Sequence, residues 1–155
     1  MVNFLLSRGA KVVSAPGKTS AITDAAGASD AEVVRLLLSH ANDAELEKSR
    51  DALNWAAASG RIDTAKLLIE HGYDVNATTK DCIVGETPLL AACAPKKVTP
   101  QRTEVAKLLV KHGADVNARN QDGMTAAELL VQNGSEGLLR EDAELQQLLG
   151  WTDTR

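Results

Sequence analysis

Three histidines, His40, His71 and His112, are the side chains whose type and spacing first point to chemistry. Each occupies the same place in a repeated segment, so they fall on successive predicted helices, which pack roughly 8–10 Å apart in proteins. Three imidazoles at that separation cannot share one metal ion. Each also ends its helix, where the helix dipole favours positive charge. The pattern therefore favours a helix-terminal role, and contact with a binding partner is the alternative.

Residues 17–20, Gly-Lys-Thr-Ser, match the end of a phosphate-binding loop. The complete motif requires a glycine five residues before the Gly-Lys pair, and Val12 occupies that position. No buried strand is predicted before this segment either. The match is therefore partial, and it does not favour nucleotide binding.

The two cysteines are too few for a disulfide scaffold, and they predict a reducing compartment, cytoplasmic or nuclear. Cys93 lies in a run of small residues and is expected to be an inert part of the core. Cys82 lies on a predicted loop without a neighbouring histidine in sequence. Complete nucleophile and metalloprotease motifs are absent from the sequence. An enzyme stays open as an alternative, because groups from distant segments could converge in one groove.

The composition describes an ordinary globular chain of 155 residues with 44% apolar, 25% charged and 3% aromatic side chains. So few aromatics favour a core of Leu, Ala and Val between closely packed helices. A net charge of −4 provides no electrostatic case for binding nucleic acid or an anionic membrane surface. No apolar run approaches the roughly 20 residues that cross a bilayer. We expect a monomer without a cofactor.

Internal repetition organises the chain. Residues 63–76 recur as residues 104–117, more distantly as residues 32–43, and as a truncated copy over residues 4–12. A self-similar segment that returns every 30–40 residues or so is typical of a repeat solenoid. Within one copy, apolar residues of helical period alternate with charges, and a glycine follows where a helix can end in the left-handed conformation.

The repetition divides the chain into units over residues 1–13, 14–43, 44–77, 78–118 and 119–155. The first is half a repeat, the next three are full, and the last is a diverged cap. The second unit predicts helices over 20–26 and 31–40. In the third, Asn42 and Glu45 have capping-box spacing, which predicts a helical turn as the link. The half repeat also raises the alternative that this chain is part of a longer protein.

The fourth unit carries a family resemblance. It contains Gly-x-Thr-Pro-Leu at residues 85–89, Ala-Ala at 91–92, Leu-Leu at 108–109 and Gly-Ala-Asp-Val-Asn-Ala at 113–118. The set resembles the ankyrin repeat over essentially the whole chain. The Thr87 hydroxyl can cap the helix that Pro88 begins. The resemblance implies an all-α ankyrin-repeat solenoid of helix-turn-helix pairs with short turn or hairpin fingers along one edge.

The resemblance also implies a non-catalytic module that binds a protein or peptide through its concave face and fingers. The family's binding positions correspond here to Glu47, Lys48, Arg50, Ala58, Ser59, His71, Ile83, Val84, Glu86, Ala94, Pro95, His112, Gln121, Asp122, Met124, Gln132 and Asn133. The alternative is a small enzyme or small-molecule-binding protein that has adapted the groove. A deep, enclosed pocket would favour that alternative, and an open groove would favour the interaction module.

Departures from the repeat pattern are expected to mark specific features. Residues 94–102 are predicted as an inserted loop, in which Lys96, Lys97 and Arg102 are either solvated or a docking site for an acidic partner. Trp55 is predicted to fill the core, with an exposed binding anchor as the alternative. Trp151 is predicted to fold back on the last helix.

Overall fold

The computed structural model describes Arg8 and residues 19–28, 30–78, 87–96 and 98–152. Those ranges contain helices and turns but no strand. In chain order the helices are α1 Ala21–Ala28, α2 Ala31–His40, α3 Asp43–Lys48, α4 Ala52–Ala58, α5 Ile62–Glu70, α6 Pro88–Cys93, α7 Pro100–Lys111, α8 Ala126–Gln132, α9 Glu136–Glu141 and α10 Ala143–Leu149. None of them is long and apolar enough to cross a membrane.

The helices form two stacked layers. The inner layer contains α1, α4, α6 and α8, and each helix packs against the next in that order. The outer layer contains α2, α5, α7 and α10, which stack in the same way. Antiparallel pairs such as α4 with α5 and α6 with α7 join the layers. The result is a solenoid in which each helix pair buries its apolar face against its neighbours.

Small side chains allow the inner helices to approach closely. In α4 and α6 the buried positions include Ala52, Ala56, Ala57, Ala91 and Ala92. Leucines from both layers fill the space between them, including the fully buried Leu53, Leu68, Leu89, Leu90 and Leu109. Alanine and leucine pack densely in this way, and no aromatic side chain is among the buried residues that the structure describes.

Helix starts follow the side-chain capping that the sequence predicts. The Thr87 hydroxyl accepts a hydrogen bond from the Leu90 N–H at 3.3 Å, and Pro88 is the first residue of α6, which confirms the predicted start. Asn42 Oδ1 accepts from the Glu45 N–H at 3.0 Å. The predicted helical link between the second and third units is confirmed as α3, a helix of six residues.

The second unit is close to its prediction. The outer helix, α2, has the predicted bounds, and the inner helix, α1, begins and ends slightly later than predicted. The predicted half repeat over residues 1–13 lies outside the described residues, apart from Arg8. The division of the chain into five units therefore stays a prediction.

The inserted segment after α6 is shorter as a loop than predicted. Residues 100–102 form the first turn of α7, with Pro100 at a position that needs no N–H donor. Val98 is buried, and its N–H donates to Ser135 Oγ at 3.4 Å. The insertion is therefore partly helical and partly anchored to the following repeat.

Candidate functional site

A groove lies between α3 and the turn segment that follows α5. It has a volume of about 620 Å³ and is lined by Asp43, Leu46, Glu47 and Arg50 on one side and by residues 71–74 and 76–78 on the other. We call it the α3 groove. Nine of its eleven lining residues are exposed, and the other two are half-buried. It is an open surface groove, and not an enclosed pocket.

Hydrogen bonds fix the turn segment, residues 71–78, that forms one wall of the groove. Gly72 follows α5 with a φ of +84°, a left-handed conformation that redirects the chain out of the helix. Asp74 Oδ1 then accepts from the Asn76 N–H at 2.9 Å. The Asn76 amide reaches the next repeat, donating to the Gly113 carbonyl at 3.0 Å and accepting from the Asp115 N–H at 2.8 Å. Hydrogen bonds within the turn segment and to the next repeat therefore hold this wall in place.

The groove combines one apolar contact with several polar ones. Leu46 is 37% exposed. Arg50 Nη2 lies 2.6 and 2.8 Å from the two carboxylate oxygens of Glu47. The Tyr73 hydroxyl lies 2.6 Å from Ser49 Oγ, whose residue is fully buried. Such a mixture suits a peptide backbone with alternating side chains more than a small apolar ligand.

A carboxylate outside the groove lining also affects the pKa of Tyr73. Burial raises its pKa, the hydrogen bond with Ser49 opposes that increase, and the nearby Asp51 carboxylate adds to it. The phenol therefore stays protonated at neutral pH. Asp51 links the groove to the inner helices, because its Oδ1 accepts from Thr23 Oγ1 at 2.8 Å and its Oδ2 from Trp55 Nε1 at 3.3 Å.

The prediction that Trp55 fills the core is wrong. Every residue of α4 except Trp55 is buried, whereas the indole remains half-exposed beside Gly27 of α1. Its N–H requires a partner, and Asp51 supplies one at the protein surface. Trp55 is not among the predicted contacts. A single tryptophan in a helix of small residues could have indicated a contact residue. The prediction for Trp151 is confirmed, since it packs against the core after α10.

The structure brings Glu47, Arg50 and His71 of the predicted contacts together in the α3 groove. Lys48 is exposed outside that lining and pairs with Glu45 at 3.7 Å. Among the remaining predicted contacts, Ser59, His112, Gln121, Asp122 and Gln132 are exposed, and Ala94, Pro95 and Met124 are half-buried.

Ala58 and Asn133 are less available to a partner than predicted. Ala58 is only 8% exposed, so its side chain offers almost no surface to a partner. Asn133 is already engaged, because its side-chain N–H group donates to the carbonyls of Cys93 and Ala94 at 3.2 and 2.8 Å. It therefore caps the end of α6, a role that its sequence position alone did not indicate. Ile83, Val84 and Glu86 lie outside the described residues.

The described cysteine and histidine side chains that could carry out chemistry lie at the structural positions that the sequence predicts. Cys93 is 1% exposed, and burial raises the pKa of its thiol to about 12, which confirms the expected inert core position. His71 and His112 follow the last residues of α5 and α7, as the helix-terminal interpretation predicted. Within the described part of the chain, no group of three or more His, Cys, Asp or Glu residues could hold a metal ion. Cys82 is not among the described residues.

The inserted segment presents less charge than predicted. Arg102 is half-buried, its Cγ lies beside Gly60, and burial lowers the pKa of its guanidinium. Lys96 is exposed, and Lys97 lies outside the described residues. Docking of an acidic partner on this segment stays a prediction.

Comparison with known protein families assigns the architecture. A family model of ankyrin repeats, in three copies, matches residues 1–79, and a model of the single ankyrin repeat matches residues 84–121. A search of curated proteins found no match. Ankyrin repeats are generally protein–protein interaction modules. The two matches and the stacked helix pairs confirm the all-α solenoid, and the chain belongs to the ankyrin repeat family.

Proposed function

We propose that this chain is a non-catalytic module that binds a protein or peptide through its inner helices and turn segments, with the α3 groove at the centre of the contact. The observation that carries this proposal is the convergence of Glu47, Arg50 and His71 in one open groove. Glu47 and Arg50 come from the α3 segment and His71 from the turn segment, and each corresponds to a position that related repeats use for partner contact.

The exposed apolar and aromatic surface supports the proposal. Leu46 is 37% exposed at the groove, and Trp55 is half-exposed on α4. Asp51 interacts with both Trp55 and Tyr73 of the groove, because it accepts a hydrogen bond from the Trp55 indole and its charge adds to the effect of burial on the pKa of Tyr73. Tryptophan and tyrosine supply a large share of binding energy at protein interfaces. One partner segment can therefore contact both the groove and the inner helices.

The alternative of a small enzyme or small-molecule-binding protein has weaker support. It calls for an enclosed pocket lined by His and Asp from adjacent repeats. His71 and Asp43 do face the α3 groove from separate segments, but most of its lining residues are exposed, so it is an open groove and not an enclosed pocket. Ligand pockets normally bury most of the ligand surface.

The two cysteines, one of them the buried Cys93 thiol, support a reducing compartment, and we place the protein in the cytoplasm or nucleus. We also propose that the chain is monomeric by itself. Light scattering on the purified chain over a range of concentrations tests that statement, and a mass that rises to twice the monomer mass would contradict it.

Site-specific photo-crosslinking tests the binding surface directly. A photoreactive phenylalanine analogue would replace Leu46 in the α3 groove or, as a matched control, Ile62 on the outer helix α5. Both side chains are 37% exposed, so accessibility is equal at the two positions. After irradiation in lysate, we expect a discrete adduct from position 46 that position 62 does not yield.

A variant then links the adduct to the groove. Adding the unlabelled parent chain in excess should suppress the adduct, whereas adding the Leu46→Ala/His71→Ala chain should not. Both residues are exposed, so the variant should unfold at the same temperature as the parent. Identical adducts from positions 46 and 62, with equal competition by both chains, would contradict the proposed surface.

A further inference from the structure

The charges of the α3 groove are unbalanced. Its lining contains the carboxylates of Asp43, Glu47 and Asp74 but one guanidinium, that of Arg50. Arg50 is bound to Glu47 through both carboxylate oxygens, so these two charges neutralise each other. Among the described residues, no Lys or Arg side chain forms an ion pair with Asp43 or Asp74. Within the described part of the chain, the groove therefore has two negative charges without a cationic partner, those of Asp43 and Asp74.

The negative charge extends beyond the lining. The Asp51 carboxylate lies close enough to Tyr73 to act on its hydroxyl, although Asp51 itself does not line the groove. Asp51 also accepts a hydrogen bond from the indole N–H of Trp55, whose side chain is half-buried. An aromatic face beside a carboxylate attracts a cation through both the ring quadrupole and the charge.

A second groove shows what the charge alone does not provide. It lies between α2 and α5, has a volume of about 370 Å³, and contains four carboxylates with Arg35 and Lys66. Its formal charge equals that of the α3 groove. The large apolar lining residue of this second groove, Leu67, is only 3% exposed, whereas Leu46 of the α3 groove is 37% exposed. The α3 groove therefore combines acidic side chains with a large exposed apolar side chain, and the second groove lacks this combination.

We infer that the partner is a protein that inserts an extended basic segment, with an Arg or Lys side chain between Asp43 and Asp74 and an apolar side chain on Leu46. This inference rests on the proposed function and adds the chemistry of the partner. Arginine suits the site best, because its planar guanidinium can donate hydrogen bonds to both carboxylates and stack on an aromatic ring. The opposite charges also accelerate the encounter at low ionic strength.

Selection from a library of random dodecapeptides displayed on phage tests this inference. The probe is the immobilised full chain, and peptides are recovered at low salt and sequenced. We expect Arg and Lys next to an apolar residue to be enriched over the starting library. The affinity of the best peptide is then measured by fluorescence anisotropy, also with its arginines replaced by the neutral isostere citrulline.

Two charge variants make the test specific. Asp43→Asn/Asp74→Asn removes the two uncompensated charges and retains the Asp74 side-chain oxygen that accepts from the Asn76 N–H. Asp63→Asn/Glu70→Gln makes the same change in net charge in the second groove. We expect the first variant and the citrulline peptide to lose about three- to tenfold in affinity, as for partly exposed ion pairs, and the second to lose almost none.

The other outcomes separate this inference from the proposed function. Peptides that bind equally well to both charge variants but lose affinity with Leu46→Ala/His71→Ala would overturn the basic-segment inference and support groove binding. Peptides enriched in Asp and Glu would overturn it as well. Peptides whose affinity none of these groove substitutions changes would contradict the proposed function itself.

Discussion

The side-chain carbonyl oxygen of Asn76 accepts a hydrogen bond of 2.8 Å from the backbone N–H of Asp115, across two successive repeats. The same amide donates to the Gly113 carbonyl at 3.0 Å. One side chain thus satisfies two backbone groups of the neighbouring turn. The pair fixes the spacing of the turn segments and forms part of the support for the α3 groove.

Replacing Asn76 with Ala should lower the free energy of unfolding by about 1–2 kcal/mol, because two hydrogen bonds between repeats are lost. Asn117 occupies the equivalent position in the following repeat, but its side chain forms no hydrogen bond within the described part of the chain, which makes Asn117→Ala the matched control. Urea unfolding followed by circular dichroism measures both. Equal losses from the two variants would show that Asn76 contributes nothing through its contacts with the next repeat.

Lys107 connects α7 to the start of α10 and should make stability depend on acid. Its Nζ lies 2.5 Å from Glu104, 2.9 Å from Asp142 and 3.5 Å from Glu144, and the side chain is only 10% exposed. The hydrogen bond from Lys107, followed by that from the Leu145 N–H, lowers the pKa of Asp142. Lys111, followed by Lys107, lowers the pKa of Glu144. Hydrogen bonds with Glu104 and Asp142 raise the pKa of Lys107 itself.

The signs of these shifts define two pH windows. Lowered carboxylate pKa values stabilise the fold above the unfolded values of about 4, and the contribution is lost as pH falls through the folded values. The raised lysine pKa stabilises the fold below about pH 10.4, and that contribution is lost at higher pH. Lys107→Met should therefore cost about 2 kcal/mol at pH 7 and much less below about pH 3. Lys111→Met, with an exposed side chain, is the control, and a pH-independent loss in Lys107→Met would contradict the ionic explanation.

Gly60 should be more sensitive to substitution than Gly72. Both have positive φ, +67° and +84°, so an alanine is strained at either position by about 1–2 kcal/mol. A Cβ on Gly60 would also lie 3.2 Å from Arg102 Cγ and Gln101 Cβ, whereas a Cβ on Gly72 meets nothing within 4 Å. Chemical denaturation should show a larger loss for Gly60→Ala than for Gly72→Ala. A smaller loss would mean that α7 moves aside without cost.

Replacing Asn54 with an apolar residue should make the protein more stable. Asn54 is completely buried, and neither its Oδ1 nor its Nδ2 has a hydrogen-bond partner among the described residues. Leu90 occupies the corresponding position of α6 and is also completely buried. Since a buried polar group without a partner destabilises a protein, Asn54→Leu should raise the free energy of unfolding by about 1 kcal/mol, part of the gain being offset by the larger side chain. Thermal unfolding measures the change, and a fall in stability would show that the amide is satisfied in solution.

The sequence predicts the scaffold well because repetition and capping are local signals. The outer helix of the second unit, the Thr87 cap and the helical link α3 all follow from residues within a few positions of one another. A helix cap needs its partner three residues away, and an apolar stripe needs only the helical period. Such features do not depend on how the repeats stack.

The site was less predictable because it depends on contacts between repeats. Asn133 corresponds to a contact position of the family, yet its amide is used to cap α6, forty positions away along the chain. Trp55 is only half-buried, it lies beside Gly27 of the preceding inner helix, and Asp51 accepts a hydrogen bond from its N–H. The exposure of Leu46 likewise depends on where α3 lies relative to the next turn segment. None of these follows from spacing within one repeat.

Helix α3 has a consequence for how a partner finds its position. Successive similar repeats present similar surfaces, so an elongated partner shifted by one repeat would meet nearly the same contacts. At the link between the second and third units, residues 43–48 form a helix, whereas the described links that follow, at residues 71–78 and 112–124, are turns. A partner that fits against α3 therefore loses its fit when it is displaced by one repeat. The helical link α3 thus distinguishes one position of the partner along the solenoid from the positions shifted by one repeat.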